Sequence, residues 1–159
     1  MYNLKFDTSN CRSKPDKVAV SLTSTSAAPN YGVSLYTDKK GNKWVRINVY
    51  KHDFLLAIDD FVDEGKTQFT YQEAFDATKK YGWTTPSKEE WDLVDAYRDE
   101  VDAIMKEAGG KVLGDRWYWS RTVAQYYSNG AWLYHGYGGR LDDYSKCDTI
   151  SVRALDYPD

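Results

Sequence analysis

Apolar residues recur along this chain with two different periods, and the change from one to the other marks out its elements. Val33 and Leu35 alternate with polar neighbours, a DKKGN stretch interrupts, and Trp44, Val45, Ile47 and Val49 resume. Side chains on a strand point to opposite faces in turn, so this pattern around Asp, Gly and Asn predicts a β-hairpin. Phe54–Phe61 is a short apolar run that period alone leaves open between a strand and a buried turn. The spacing then becomes helical. Thr70 with Glu73 forms a capping box, Tyr71, Ala74, Phe75, Thr78 and Tyr81 share one face, and Gly82 ends the helix. Beyond Pro86, Ser87 with Glu90 forms a second capping box. A longer helix from about Lys88 to Ala108 buries Trp91, Val94, Val101, Ile104, Met105 and Ala108 and stops at Gly109–Gly110. Its acids (Glu89, Glu90, Asp92, Asp95, Asp99, Glu100, Asp102, Glu107) read as a solvated face rather than as acid–base chemistry.

Past Gly110 the pattern breaks into short β-like pieces at Trp117–Ser120, Ala131–His135, Arg140–Tyr144 and Ile150–Leu155. Helices segregated from antiparallel strands indicate the α+β class, with two helices packed on short strands and a long loop-rich C-terminal unit. Residues 1–30 are polar and rich in Ser and Thr, with one alternation at Val18, Val20 and Leu22. They read as an arm carrying a short strand or as a partly disordered lead-in, and residues 31–159 as one binding domain.

Charge narrows the function. Twenty-one basic and 24 acidic side chains give a net charge of −3, and no Lys/Arg run interleaves with the aromatics. Both features argue against nucleic-acid and anionic-membrane partners. Cys11 and Cys147 are too few for a disulfide framework, and no apolar stretch approaches membrane-spanning length. No signal-peptide pattern opens the chain, so a cytoplasmic or virion location is expected, with surface display left open.

Candidate chemistry is sparse. There is no HExxH, CxxC, GxSxG or P-loop, and Gly136-x-Gly138-Gly139 reads as a turn because no strand–glycine–helix context surrounds it. Cys147 has no defined base beside it. Asp142, Asp143 and Asp148 could share a calcium ion, but three aspartates on a polar loop more often face water. The expectation is a non-enzymatic protein with no cofactor and no metal.

Aromatic content changes the picture more. Six Trp and fourteen Tyr are many for a chain of 159 residues, and they crowd Trp117–Ala154 among Gly, Ser, Asn, Arg and Asp. That is the composition of a recognition surface, where tyrosine gives contact area at low entropic cost. Tyr126, Tyr127, Tyr134, Tyr137 and Tyr144 are expected outward, because Leu133-Tyr134-His135-Gly136-Tyr137 places amphipathic groups on both parities. Trp117, Trp119 and Trp132 are expected in the core; the competing view makes the tyrosines ordinary half-buried strand residues.

Several stretches also match a family pattern. Thr85-Pro86-Ser87-Lys88-Glu89-Glu90-Trp91, after Lys79-Lys80-Tyr81-Gly82-Trp83, resembles the LPTxxEW segment of C-type-lectin-fold proteins related to the formylglycine-generating enzyme. Trp117-Tyr118-Trp119-Ser120, Ala131-Trp132 and Val152-Arg153-Ala154 resemble the YWSST…AW…VRAV frame of variable proteins from diversity-generating retroelements of gut bacteria and their phages. The likeness runs from about Leu35 to Leu155. It implies a lectin-like fold whose variable region, here about 121–151, binds a protein or cell-surface receptor. The implied ligand-binding residues are Arg121, Tyr126, Tyr127, Asn129, Tyr134, His135, Tyr137, Arg140, Asp142, Asp143, Tyr144, Cys147 and Asp148. Thr85 replaces the Leu of the motif, Arg121 replaces the second Ser, and the tail after Leu155 differs. The Glu-Pro-Asn and Trp-Asn-Asp motifs of calcium-dependent sugar binding are absent, and the catalytic cysteine pair of the enzymes has no counterpart. The alternatives are a phage tail or adhesin module whose tyrosines join copies in a homo-oligomer, and an oxidase or hydrolase using Cys147 or His135.

Overall fold

The computed structural model describes residues 31–125 and 129–159, apart from the side chains of Asp142 and Asp143. The expected arm at 1–30 and the pair Tyr126 and Tyr127 lie outside the described residues. The predicted hairpin forms from β1 (Gly32–Thr37) and β2 (Lys43–Val49), and the ambiguous apolar run becomes β3 (His52–Ala57). With the short β7 (Leu155–Asp156) they make an antiparallel sheet in the order β1-β2-β3-β7. A second antiparallel sheet comprises β4 (Trp117–Val123), β5 (Gly130–His135) and β6 (Arg140–Ser145) in that order. The class is α+β with three helices, not two.

Local chemistry explains the helix starts. Both predicted capping boxes close: Thr70 and Glu73 exchange side chain-to-backbone bonds ahead of α1 (Tyr71–Lys79), as Ser87 and Glu90 do ahead of α2 (Lys88–Ala96). The long predicted helix is broken at Tyr97 (φ −114°, ψ 28°), and α3 (Arg98–Glu107) follows with no side-chain cap. Packing supplies the reason for the break. α2 lies on β4 and β5 while α3 lies on β1 and β2, so the bend lets one apolar stripe serve two differently oriented sheets.

Two buried clusters result. Val45, Ile47, Val49, Phe54 and Leu56 meet Trp91, Val94, Val101, Met105, Tyr118 and Tyr134 in one. Trp44, Leu55, Phe69, Trp119, Leu133 and Val152 form the other.

Between the sheets runs the segment predicted as a strand over Ile150–Leu155. Only its end pairs as β7. The rest is extended and wholly buried over Ser151–Leu155, bonding to a different neighbour at almost every step. Ala57 N–H donates to the Ala154 carbonyl, Phe61 N–H to that of Val152, and Trp119 N–H to that of Ser151. Backbone groups buried this deeply need partners, and here several elements share the task.

Arg153 is the joint. It is fully buried, donates to Asp60 Oδ1 at 2.8 Å, and gives its remaining N–H groups to the carbonyls of Ala57, Lys111 and Val112. Asp60 also accepts from the Tyr118 hydroxyl at 2.7 Å and pairs with Arg116 at 3.1 Å. A buried guanidinium is tolerated only with partners of this number and geometry.

Candidate functional site

The predicted site residues sit on or beside β5 and β6, and the frame under them is built from tryptophans. On one face of the β4–β5–β6 sheet, Trp119 packs with Ala131 and Leu133. Its indole N–H donates to the Phe69 carbonyl at 2.6 Å, and its ring meets Tyr71 edge-on at 5.8 Å. On the other face Trp91 stacks on Tyr134 at 4.6 Å, with rings inclined by 14°, and sends its N–H to the Trp119 carbonyl.

Tyr134 is therefore not a surface residue. It is 2% exposed, and its hydroxyl donates to Asp95 Oδ1 at 2.9 Å. Burial first, and the Asp95 carboxylate second, push its pKa up. The expectation of outward display failed because this sheet is covered on both faces: α2 lies against one, while α1 and the first sheet lie against the other. Both parities of such a strand are apolar, so mixed parity signified enclosure rather than display.

Arg121 is a clamp rather than a contact residue. Nη1 donates to the Thr85 carbonyl at 2.6 Å and to Glu90 at 2.8 Å, and Nη2 donates to the Tyr157 hydroxyl at 3.1 Å. The acidic helical face likewise departs from the expected solvated one at three positions. Glu90 is 5% exposed and holds Arg121 and Tyr157, Asp95 holds Tyr134 and Arg98, and Asp92 holds Arg140. Glu89, Asp99 and Glu107 are exposed as expected.

The outward groups gather at the β5–β6 turn. Gly136 is buried against Leu113 and Gly114 so closely that a Cβ would overlap the Gly114 carbonyl oxygen, and its N–H donates to the Arg116 carbonyl at 3.0 Å. On this fixed base stands Tyr137, 66% exposed. His135 lies against Trp117 at 4.7 Å and Tyr137 at 5.6 Å. Its Nδ1 accepts the Tyr137 backbone N–H at 3.2 Å, so the neutral ring carries its proton on Nε2, 2.9 Å from Asp115 Oδ1. Both ring nitrogens are thereby engaged in holding the turn.

Across the sheet Trp132 is half-buried rather than core. The Lys88 ammonium stands over its ring at 4.7 Å, and Arg140 reaches Asp92 at 3.0 Å beside it. Tyr144 is half-buried against Trp119. Asn129, Cys147 and Asp148 are exposed, and the Asn129 carbonyl accepts the Lys146 N–H at 2.8 Å. Asp142 and Asp143 belong to β6.

The predicted residues thus form no single patch. Trp117 and His135 lie on one face of the sheet, Trp132 and Arg140 on the other, and Tyr137 stands at the turn beside His135. The fate of each indole N–H sorts frame from surface. Trp44, Trp91 and Trp119 donate internally. Trp83, Trp117 and Trp132 are half-buried and make no such bond to the described residues. Sequence reasoning missed Lys88, Asp92 and Asp115 at this site, since each is one acid or base among many until the fold selects it.

Comparison with known proteins finds no family model that matches the chain and no curated protein that matches it.

Proposed function

We propose that this chain is a recognition protein that holds a macromolecular partner with its β5–β6 hairpin, on a C-type-lectin-like frame of the kind found in variable proteins of diversity-generating retroelements. The observation that carries this reading is Tyr137, 66% exposed on a turn whose base is locked by the Gly136–Gly114 contact. A rigid amphipathic ring on a preorganised turn loses little entropy on binding. His135 stands beside it with Trp117 on one face of the sheet, and Trp132 and Arg140 lie on the other. These are aromatic and arginine side chains of the kind in which binding hot spots are enriched. Leu141, 39% exposed on β6, adds apolar area at the outer edge of the sheet. No helix of the described residues is long and apolar enough to cross a membrane.

The test is a screen of the full chain against arrayed extracellular proteins, repeated with the double variant Tyr137→Ala, Arg140→Ala. A partner is expected whose binding weakens by about a hundredfold or more in the double variant, the loss of two hot-spot contacts. A partner held equally well by the double variant would place recognition elsewhere. Light scattering separates the assembly alternative, in which the hairpin is buried between copies and the isolated chain is an oligomer.

A further inference from the structure

A concave site lies apart from the hairpin and shares no residue with it. The β1–β2 turn, the stretch after α1 and the tail after β7 enclose a cleft of about 210 Å³, lined among others by Tyr36, Asn42, Tyr81, Trp83, Asp156 and Tyr157. At about 30 Å³ per water it holds about seven, room for one small ring rather than a drug-sized ligand.

Its walls are stiff. Tyr81 stacks on Trp83 at 5.1 Å with the rings inclined by 20°, and Trp44 meets Trp83 edge-on at 5.1 Å. Tyr81 donates its hydroxyl to Asp63, and Tyr157 donates to Glu90. Asp38 takes bonds from the Asn42 side chain and backbone, the Trp44 indole and the Lys40 backbone, which fixes the turn that forms the rim.

Several polar groups at the cleft remain uncommitted. The Trp83 indole N–H makes no bond to the described residues, and the residue is half-buried at the cleft wall. Asn42 gives its side-chain N–H to Asp38, and among the described residues its amide oxygen makes no bond. Asp156 uses Oδ1 on the Tyr157 N–H, and its Oδ2 makes no bond among them either. Charge is close to balanced, with Lys39 and Lys40 against Asp38, Asp156 and Asp159, and Lys39 already lies 3.7 Å from Asp159. Such a cleft favours neither an anion nor a cation. Aromatic walls with free donors and acceptors at the rim match a ligand with apolar C–H faces and a belt of hydroxyls.

We propose that this cleft binds a neutral saccharide, one pyranose ring at a time, without a metal ion. The aromatic wall takes the C–H face of the ring, while the Trp83 N–H, Asn42 and Asp156 meet its hydroxyls.

The test uses the full chain with the methyl glycosides of glucose, galactose, mannose and N-acetylglucosamine, read by saturation-transfer NMR and by tryptophan fluorescence. At least one is expected to bind with a millimolar dissociation constant that EDTA leaves unchanged. Tyr81→Ala is expected to weaken it about tenfold or more, as loss of an aromatic anchor does. Trp83→Phe, which keeps an aromatic ring at the wall but removes the N–H donor and part of the indole surface, is expected to weaken it several-fold, and Tyr137→Ala to leave it unchanged. Binding by none of the four glycosides overturns the proposal, as does binding that both cleft variants retain, that EDTA abolishes, or that tetramethylammonium displaces. Because the hairpin variant serves as the unaffected control, failure here leaves the hairpin reading standing, and failure there leaves this one.

Discussion

The two sheets use the same residue types in opposite ways. In the four-stranded sheet β2 alternates from Val45 onward: Val45, Ile47 and Val49 are buried, while Arg46 and Asn48 are half-exposed, with Arg46 paired to Asp53 at 2.6 Å. Only Trp44 at its start and Leu55 on β3 are buried on that other face. In the three-stranded sheet alternation fails, and Leu133 and Tyr134, on opposite faces of β5, are both 2% exposed. Three residues after Tyr134, Tyr137 is 66% exposed, among the most exposed large apolar side chains of the described residues. The difference teaches that residue type does not decide display. A tyrosine on a doubly covered strand is core, and the same tyrosine on the turn beyond it is surface.

The largest expected effect comes where the sheets join. Asp60→Ala leaves the Arg153 guanidinium buried with no anionic partner, only three carbonyls and the Met105 sulfur, and should cost about 3–5 kcal/mol in chemical denaturation. A cost below about 1 kcal/mol would mean the sheets do not depend on that joint. Next is Tyr134→Ala, which opens a cavity beside Trp91 and should cost about 3–5 kcal/mol, as large-to-small aromatic truncations do. If the variant unfolds at the wild-type midpoint, β5 is open on that face and the contrast between the sheets disappears.

A smaller effect belongs to the β1–β2 turn of the first sheet. Partial burial raises the Asp38 pKa, but the bonds it accepts from Asn42, Trp44 and Lys40 outweigh this and bring it from 3.8 to about 2. Because the folded pKa lies below the unfolded one, these bonds stabilise the protein above about pH 4 and are lost as pH falls toward about 2. Asp38→Ala should therefore destabilise by about 1–2 kcal/mol at neutral pH, and its gap from wild type should close in melts run between pH 4 and 2. A gap that persists at pH 2 would show that the carboxylate's charge is not what holds the turn. The smallest effect is Tyr137→Ala, expected within about 0.5 kcal/mol of wild type because the ring is 66% exposed and meets only the edge-on His135 ring among the described aromatics. A larger loss would move Tyr137 into the frame.

Much of the fold was legible residue by residue. Thr70, Glu73, Ser87 and Glu90 announce two helix starts because a capping box is local chemistry, complete within four residues. The DKKGN turn marks the first hairpin for the same reason. What escaped detection depends on distant neighbours. Nothing near Tyr97 in sequence breaks a helix, and the bend exists because α2 and α3 serve different sheets. Arg121 and Arg140 look alike in sequence. One is consumed by Thr85, Glu90 and Tyr157, and the other reaches outward with one partner among the described residues, Asp92.

By itself the sequence determined the elements: where helices begin, where the first hairpin turns, and that the aromatic load lies toward the C-terminus. Tertiary structure alone decided which aromatics are walls and which are contacts, that Arg153 is a joint, and that Tyr81 and Trp83 border a cleft. The reason is range. Capping and turn geometry act over a few bonds along the chain, whereas burial depends on which surfaces arrive from elsewhere to cover a side chain.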